Sequence, residues 1–285
     1  MVVYNDDGIG KQSRTDLSTQ LTFLGEVSGT PTNYFDVEPP PGVPRLYPRV
    51  RCDVVVHDAR AMALSIEREG VVLAEHRDGA IGDFRDEHAL RATYYPAVER
   101  LVCAVTGAAR ARVFDHTHRS SGVARRAADG TDIAVDEAHN DYTERSGPRR
   151  VRELLATLVP DEDPDQLMRR RYAICNVWRP INGPVEQWPL AVCDMQSLRP
   201  DDFVEAVLHW PHRTGHVCAI RHRPAQRWLY APAMDVHEAL VFVCYDAAAH
   251  GDVRFGAHTA FIDPMSRDVA RVRESIEART IALFD

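Results

Sequence analysis

A series of seven short strand-like runs in the C-terminal half of the chain constrains the fold more than any other feature. Each run is rich in β-branched, aromatic and other apolar residues, and turn residues separate it from the next. The runs are RYAICNVWRPI, PLAVCDM, HVCAIRHR, RWLYAPAM, EALVFVCYD, HTAFID and RESIEARTIALF. Short strands in such a series are typical of an antiparallel barrel or sandwich. We therefore predict a mainly β fold with flanking helices, a double-stranded β-helix (jelly-roll, cupin-like).

The first 50 residues differ in composition from the rest. Residues 31–49, TPTNYFDVEPPPGVPRLYP, contain many prolines, which exclude helix and favour an extended path over the surface. A strand is predicted just before them, at 21–27. We therefore expect an N-terminal arm over residues 1–50 and one double-stranded β-helix domain with helical insertions over residues 51–285.

The middle of the chain shows a mixture of patterns. RCDVVVHDAR (51–60) and EREGVVLAEH (67–76) flank a glycine turn and predict a hairpin. Helical spacing runs from 86 to 105, with Pro96 opening a second helix and Gly107 ending it. ARVFDHTHR (111–119) is strand-like, and the small-residue loop 120–136 is a candidate lid. Further helices are predicted for SGPRRVRELLATL (146–158), DEDPDQLMRR (161–170) and RPDDFVEAVLHW (199–210).

Charge and cysteine usage limit the partners and the compartment. A net charge of -8 argues against nucleic acid, whose binders usually present a basic face. The six cysteines lie far apart without a CxxC pair, which favours a reducing compartment. No apolar run reaches the roughly 20 residues that span a bilayer, and the N-terminus lacks the pattern of a signal peptide. We expect a cytoplasmic protein that binds no membrane.

The segment EAHNDYT, 137–143, contains a candidate metal site. In extended backbone, residues i and i+2 project to the same side, so His139 and Asp141 could bind one ion. Two imidazoles and one carboxylate on one face form the iron(II) site of many oxygenases. The remote histidine would be His237 or His258, and His258, which begins a short strand after a turn, is favoured. The alternative for His139 and Asp141 is turn or capping chemistry before the following helix.

The last strand-like run, RESIEART, is a candidate anion site. Period two places Arg273, Ser275, Glu277 and Arg279 on one face. Arginine pairs bidentately with carboxylates, so two arginines and a serine on an inner face predict a bound carboxylate. The alternative is a solvated face on which Glu277 pairs with an arginine.

Together these segments resemble the iron(II)- and 2-oxoglutarate-dependent oxygenases of the AsaB hydroxylase/desaturase and CmcJ family, from about residue 51 to the C-terminus. The blocks that carry the resemblance are VFDHTHR, HNDYT, NVWRPINGPVEQWPLAVCD, RWLYAPAMDVHEALVFVCYD, HTAFIDP and RESIEAR. The resemblance implies His139, Asp141 and His258 as iron ligands. It also implies 2-oxoglutarate as co-substrate, paired with Arg273 and Ser275. The long spacing between His258 and Arg273 leaves Arg279 as a competitor.

Other residues in these blocks are given weaker roles. Asn176 is a candidate co-substrate contact, His116 a candidate strand-fixing residue, and His118 a poor ligand candidate. Arg179 is a candidate ion-pair partner of Asp194 or Asp246. Three tryptophans of the blocks are predicted to be packing residues: Trp178, Trp188 and Trp228.

The resemblance implies oxidation of an unactivated C–H bond of a small metabolite by hydroxylation, desaturation or oxidative cyclisation, in secondary-metabolite biosynthesis. The expected partners are a small-molecule substrate and O2, with a homodimer left open. A non-catalytic CmcJ-like subunit of a two-protein methoxylation system is the alternative. A metal-free binding barrel is a third interpretation, which predicts neither iron uptake nor turnover of 2-oxoglutarate.

Overall fold

A computed structural model describes residues 16–122, 134–248 and 254–285, and within these ranges the chain forms fourteen strands in two sheets. The strands are β1 Leu17–Leu24, β2 Thr32–Tyr34, β3 Arg49–Asp58, β4 Val71–Glu75, β5 Arg110–Ser120, β6 His139–Asn140, β7 Tyr172–Pro180, β8 Leu190–Cys193, β9 Phe203–Trp210, β10 Arg213–Ile220, β11 Trp228–Tyr230, β12 Glu238–Asp246, β13 Ala257–Ala260 and β14 Glu274–Leu283. The mainly β prediction is confirmed.

The larger sheet has nine strands in the order β1-β3-β11-β8-β13-β6-β10-β9-β2, and the smaller has five in the order β4-β12-β7-β14-β5. Side chains from both sheets form one buried core, among them Trp178 and Phe242 from the smaller sheet and Val192 from the larger. Every residue of β7 and β12 is buried, because both strands are covered on both faces. The two sheets therefore enclose the interior in which a site can lie.

Helices flank the smaller sheet, as predicted, and those between residues 87 and 106 pack on its outer face. The helical bounds are α1 Glu87–Ala89, a π-helical segment Leu90–Tyr94, α2 Tyr95–Thr106, α3 Ser146–Leu158 and α4 Pro164–Leu167. Tyr94, Val98 and Val102 pack in one cluster with Val177 and Ile276 of the sheet. Pro96 lies in the first turn of α2, and Gly107 ends the helix with a φ of 72°, a conformation that favours glycine.

The predicted hairpin of residues 51–76 is wrong. β3 pairs with β1 and β11 in the larger sheet, whereas β4 pairs with β12 in the smaller one. The cause is local: the Asp58 side chain accepts a hydrogen bond from the Arg60 backbone and caps a short 3₁₀ turn that ends β3. The chain therefore leaves one sheet for the other instead of reversing.

The predicted helix at residues 199–210 is also wrong. Only Pro200–Asp202 form a short 3₁₀ turn, and the segment then continues as β9, which pairs with β10 over all eight residues. Phe203, Val204 and Val207 are aromatic or β-branched, so the pairing partner rather than the apolar spacing decided the conformation.

The first strand is part of the larger sheet. β1 pairs with β3 along its whole length, and the Ala138 amide donates to the Thr22 carbonyl at 2.8 Å. The division of the chain at residue 50 stays a prediction, and most of the candidate lid (123–133) lies outside the described residues. Among the described segments, no helix combines the length and apolar character needed to cross a membrane.

Candidate active site

Strand register brings the three candidate metal ligands together. His139 of β6 lies directly opposite His258 of β13, and their ring centroids are 4.3 Å apart. Asp141 follows β6 immediately, and one ligand atom from each of the three side chains lies within 4.8 Å of the others. His237 does not belong to this group; its carbonyl accepts a hydrogen bond from the His76 amide at the edge of β12.

His139 is oriented by its backbone neighbour. Nδ1 lies 2.7 Å from the Glu137 carbonyl and donates to it, so Nε2 is the nitrogen that faces Asp141, with its Oδ1 3.6 Å away. Glu137 is itself held by Arg49 at 2.8 Å. Burial lowers the pKa of His139, but the hydrogen bond and charge of Asp141 outweigh it and the pKa is raised.

His258 is held as a neutral imidazole. Burial, followed by the neighbouring His139, lowers the pKa of His258 to about 3. Its Nδ1 is buried and, within the described part of the chain, has no hydrogen-bond partner. A neutral imidazole is the form that binds metals, because the proton and the metal compete for the same lone pair.

Asp141 is held as a carboxylate by two donors. Its Oδ2 accepts from Asn176 Nδ2 at 3.0 Å and from Arg279 Nε at 3.4 Å. Burial acts to raise the pKa of Asp141, but hydrogen bonding to His139 and the charge of Arg279 hold it well below its usual range. Asn140 faces the other way and donates to the carbonyls of Tyr142 and Cys244.

The Arg279 guanidinium is surrounded by acceptors. Besides Asp141, it donates to Asp115 at 2.9 Å, Thr117 at 3.0 Å and Glu277 at 3.0 Å. All three of its nitrogens are therefore engaged within the protein. Asp115 and Thr117 are functional neighbours that the sequence analysis missed. Their period-two alternation with His116 and His118 in FDHTHR was the available signal.

Arg273 is in the opposite situation. Only 2% exposed, it donates to the Trp188 carbonyl and stacks over the Trp178 ring at 5.5 Å. Its Nε and the neighbouring Ser275 Oγ are buried without a partner among the described residues. Burial lowers the pKa of Arg273 to about 9, with the nearby Arg119 adding to the effect. Unsatisfied buried donors are costly, so this pair is suited to an anionic ligand.

One cavity joins these groups. Its lining includes His139, His258, Arg273, Arg119 and Glu277. We call it the inner cavity. Burial is the main cause that raises the pKa of Glu277.

Two histidines and one carboxylate are the donor set of non-haem iron(II) oxygenase sites. Arg273 in the lining of the inner cavity and the neighbouring Ser275 supply a buried cation and a buried hydroxyl, which suit a dicarboxylate. The described residues therefore fit both iron(II) and 2-oxoglutarate.

The other predicted residues lie outside this group. His116 contacts Tyr95 at 2.7 Å and Glu87 at 3.3 Å, so it fixes β5 to the helices. The predicted ion pair of Arg179 is wrong: Arg179 donates to the carbonyls of His76 and Val236. Its expected partners are already paired elsewhere, Asp194 with Arg227 and Asp246 with Arg171.

The three tryptophans differ in burial. Trp178 and Trp228 are fully buried packing residues, as predicted. Trp188 is half-buried and has a φ of 52°, an uncommon conformation for a non-glycine residue.

Comparisons with known proteins agree with this geometry. The model of the family described as oxidoreductase/YMDC permease-like domain matches residues 21–283. Hydroxylase/desaturase asaB of Aspergillus flavus is 36% identical over 135 residues, 42% of this chain and 59% of that protein. The chain thus spans less than two thirds of that relative. Alpha-ketoglutarate-dependent dioxygenase phiK of a fungal species is 28% identical over 239 residues, 81% of this chain and 83% of its own length.

A solved structure has the same architecture. The iron and alpha-ketoglutarate-dependent endoperoxidase NvfI superposes with a TM-score of 0.81 and 25% identity, covering 95% of this chain and 99% of that one. The predicted jelly-roll fold is thereby confirmed.

Proposed function

This chain belongs to the oxidoreductase family whose model matches residues 21–283, and we propose that it is an iron(II)- and 2-oxoglutarate-dependent oxygenase of small metabolites. The resemblance to the AsaB and CmcJ family is confirmed by the named relatives. The observation that carries the proposal is the grouping of His139, Asp141 and His258, two of which line a cavity together with Arg273.

We assign the metal to His139 Nε2, an Asp141 carboxylate oxygen and a His258 ring nitrogen. Bound together, iron(II) and 2-oxoglutarate supply the oxidising chemistry, in which O2 and the co-substrate give succinate and carbon dioxide while a C–H bond is oxidised. The protein's contribution is to hold the ligands in the required protonation states and to place the target carbon. The neutral His258 and the ionised Asp141 are already in those states.

Arg273 and Ser275 are the proposed anchor for the distal carboxylate of 2-oxoglutarate. Both carry buried, unpartnered polar atoms, whereas Arg279 already donates to three carboxylates and a hydroxyl. A carboxylate added to Arg279 would have to displace one of these partners. The contacts therefore favour Arg273 over Arg279 as the partner of the distal carboxylate, a choice that the sequence left open.

Arg279 and Asn176 are proposed as positioning residues for Asp141. Both occupy its Oδ2, which leaves Oδ1 as the oxygen that faces His139 Nε2 and the metal position. Outer partners of this kind fix the orientation of a ligand and raise metal affinity. This contact supports a role of Asn176 through Asp141, whereas the direct contact with the co-substrate stays a prediction from the sequence.

The complete ligand set argues against the two alternatives. A non-catalytic CmcJ-like subunit does not require a His-Asp-His metal site. In a metal-free binding barrel, the buried His258 Nδ1 and Arg273 Nε would stay without a bound metal or anion as partner. The proposal includes a small-molecule substrate and O2 as partners, a place in secondary-metabolite biosynthesis, a cytoplasmic location, and no nucleic acid or membrane partner. A homodimer is compatible with it.

Anaerobic titration tests the function directly. Addition of iron(II) and then 2-oxoglutarate to the purified chain should produce a visible charge-transfer band, and admission of oxygen should produce succinate. A chain that binds iron(II) but gives neither the band nor succinate would support the auxiliary-subunit alternative. A chain that binds no iron(II) at all would support the metal-free barrel.

A further inference from the structure

A second, larger cavity opens beside the inner cavity. Its volume is about 260 Å³, and we call it the outer groove. Its walls come from β1, from the segment that follows β13, and from Trp188. Pockets for small molecules usually have volumes of about 300–1,000 Å³, so the outer groove lies just below that range and suits a small ligand or one part of a larger one.

The outer groove and the inner cavity are adjacent. Ala260 lines both, and Asp136 of the outer groove follows Val135 of the inner cavity. Trp188 also lines the outer groove, and its carbonyl accepts the hydrogen bond from Arg273 of the inner cavity. A ligand in the outer groove therefore lies next to the proposed metal and co-substrate positions, separated from them by single residues.

The two walls of the outer groove differ in chemistry. One is apolar and consists of Trp188, Ala260, Phe261, Ile262 and Pro264. The other is polar and includes Thr19, Gln20 and Thr22 of β1.

The two walls are tied together and carry no net charge. The Thr19 hydroxyl donates to the Ile262 carbonyl at 2.9 Å, which joins the polar wall to the apolar one. The lining contains one basic and one acidic side chain, Arg51 and Asp136, so it does not select for an ionic ligand.

We propose that the outer groove binds the organic substrate, and that this substrate is a neutral, mainly apolar metabolite with hydrogen-bonding groups along one edge. The proposal rests on the proposed oxygenase function, because it is the adjacent metal site that makes the ligand a substrate. The size, the apolar wall and the balanced charges set the substrate class. The N-terminal strand β1 then has a role in specificity as well as in the sheet.

Further apolar side chains are exposed on the connection that follows the apolar wall. Ile262 is 54% exposed although it is a large aliphatic residue, and Met265 and Val269 follow it on the same connection. Met265 and Val269 are not part of the lining of the outer groove. We assign Ile262 to the substrate contact, since it is the member of this set that lines the outer groove.

The test uses 6-propionyl-2-(dimethylamino)naphthalene, a neutral two-ring fluorescent probe, with the full chain. Ile262→Asp places a charge on the apolar wall, and Thr22→Trp fills the groove from the polar wall. Each should weaken probe binding at least about tenfold, since a charge or lost apolar contact costs more than about 1.4 kcal/mol. Val269→Asp is the matched control: it makes the same charge change on the same connection, outside the groove, and should stay within about twofold.

The outcomes separate this proposal from the function on which it rests. Wild-type chain that does not bind the probe, or binding unaffected by Ile262→Asp and Thr22→Trp, would overturn the substrate assignment. So would tighter binding of the anionic probe 8-anilinonaphthalene-1-sulfonate. Succinate formation by the wild-type chain tests the oxygenase function separately. If no succinate forms but the probe still binds in the outer groove, the oxygenase function is contradicted and the binding site is retained.

Discussion

Arg279 Nε lies 3.4 Å from Asp141 Oδ2, and this contact joins one sheet to the candidate metal site in the other. Arg279 belongs to β14 of the smaller sheet, whereas Asp141 follows β6 of the larger. The contact therefore bridges the two sheets at the point where the metal would lie. Asp115 and Glu277 hold the guanidinium from its other sides, so its direction is fixed before any ligand binds.

Loss of this contact should weaken metal binding. Arg279→Leu should lower iron(II) affinity about 10- to 100-fold, the usual effect of removing a partner of a metal ligand. Calorimetric titration of iron(II) under anaerobic conditions measures the affinity, and Arg279→Lys should restore part of it because a cation remains near Asp141. A purely structural role would lower the melting temperature of both variants while leaving their iron(II) affinity equal to that of the wild type.

The ligand set makes a stronger prediction. His258→Ala should abolish both iron(II) binding and succinate formation, since one of three proposed ligands is lost. His88→Ala, an exposed histidine on α1, is the matched control and should leave both unchanged. Iron content after dialysis and succinate yield are the measurements. Full turnover of 2-oxoglutarate by His258→Ala would show that the ligand assignment is wrong.

The co-substrate anchor can be tested through KM. Arg273→Lys keeps a cation but loses the planar pair of donors, and hydrogen bonds to charged groups contribute about 1.5–3 kcal/mol. KM for 2-oxoglutarate should therefore rise roughly 10- to 100-fold, with a smaller effect on kcat. Arg271→Lys, an exposed neighbour, is the control and should change neither constant. A selective rise of KM in Arg279→Lys instead would transfer the anchor to that residue.

Local pattern was enough to find part of this site. His139 and Asp141 lie two residues apart on one extended segment, so periodicity alone pairs them. His258 is far away in sequence and meets His139 only through the β6–β13 register, which no local pattern contains. Its assignment depended on the family resemblance, because several ordered blocks carry information that spacing does not.

The two arginines show why the rest could not be predicted. Arg273 and Arg279 lie on the same face of one strand by period two, so strand periodicity alone does not decide which arginine binds the co-substrate carboxylate. They differ in their tertiary neighbours. Arg279 donates hydrogen bonds to Asp115 and Thr117 of β5, whereas the Nε of Arg273 has no partner among the described residues. For the same reason residues 203–210 form a strand, because β10 supplies the pairing partner.

His76 should make the fold sensitive to acid. It is 1% exposed, and burial, followed by the charge of Arg179, lowers its pKa to about 4 despite the opposing charge of Asp78. The pKa is lower in the folded chain than in the unfolded chain, where it is about 6.5. The unfolded chain therefore takes up a proton first as pH falls, and stability is lost between about pH 6.5 and about pH 4.

Urea unfolding at about pH 7.5 and about pH 4.5 measures this loss. The free energy of unfolding should fall by about 2–3 kcal/mol less in His76→Gln than in the wild type, because glutamine does not titrate. His88→Gln changes an exposed histidine in the same way, serves as the matched control and should lose as much as the wild type. Equal acid losses in all three chains would contradict the prediction and would mean that groups other than His76 determine the acid sensitivity.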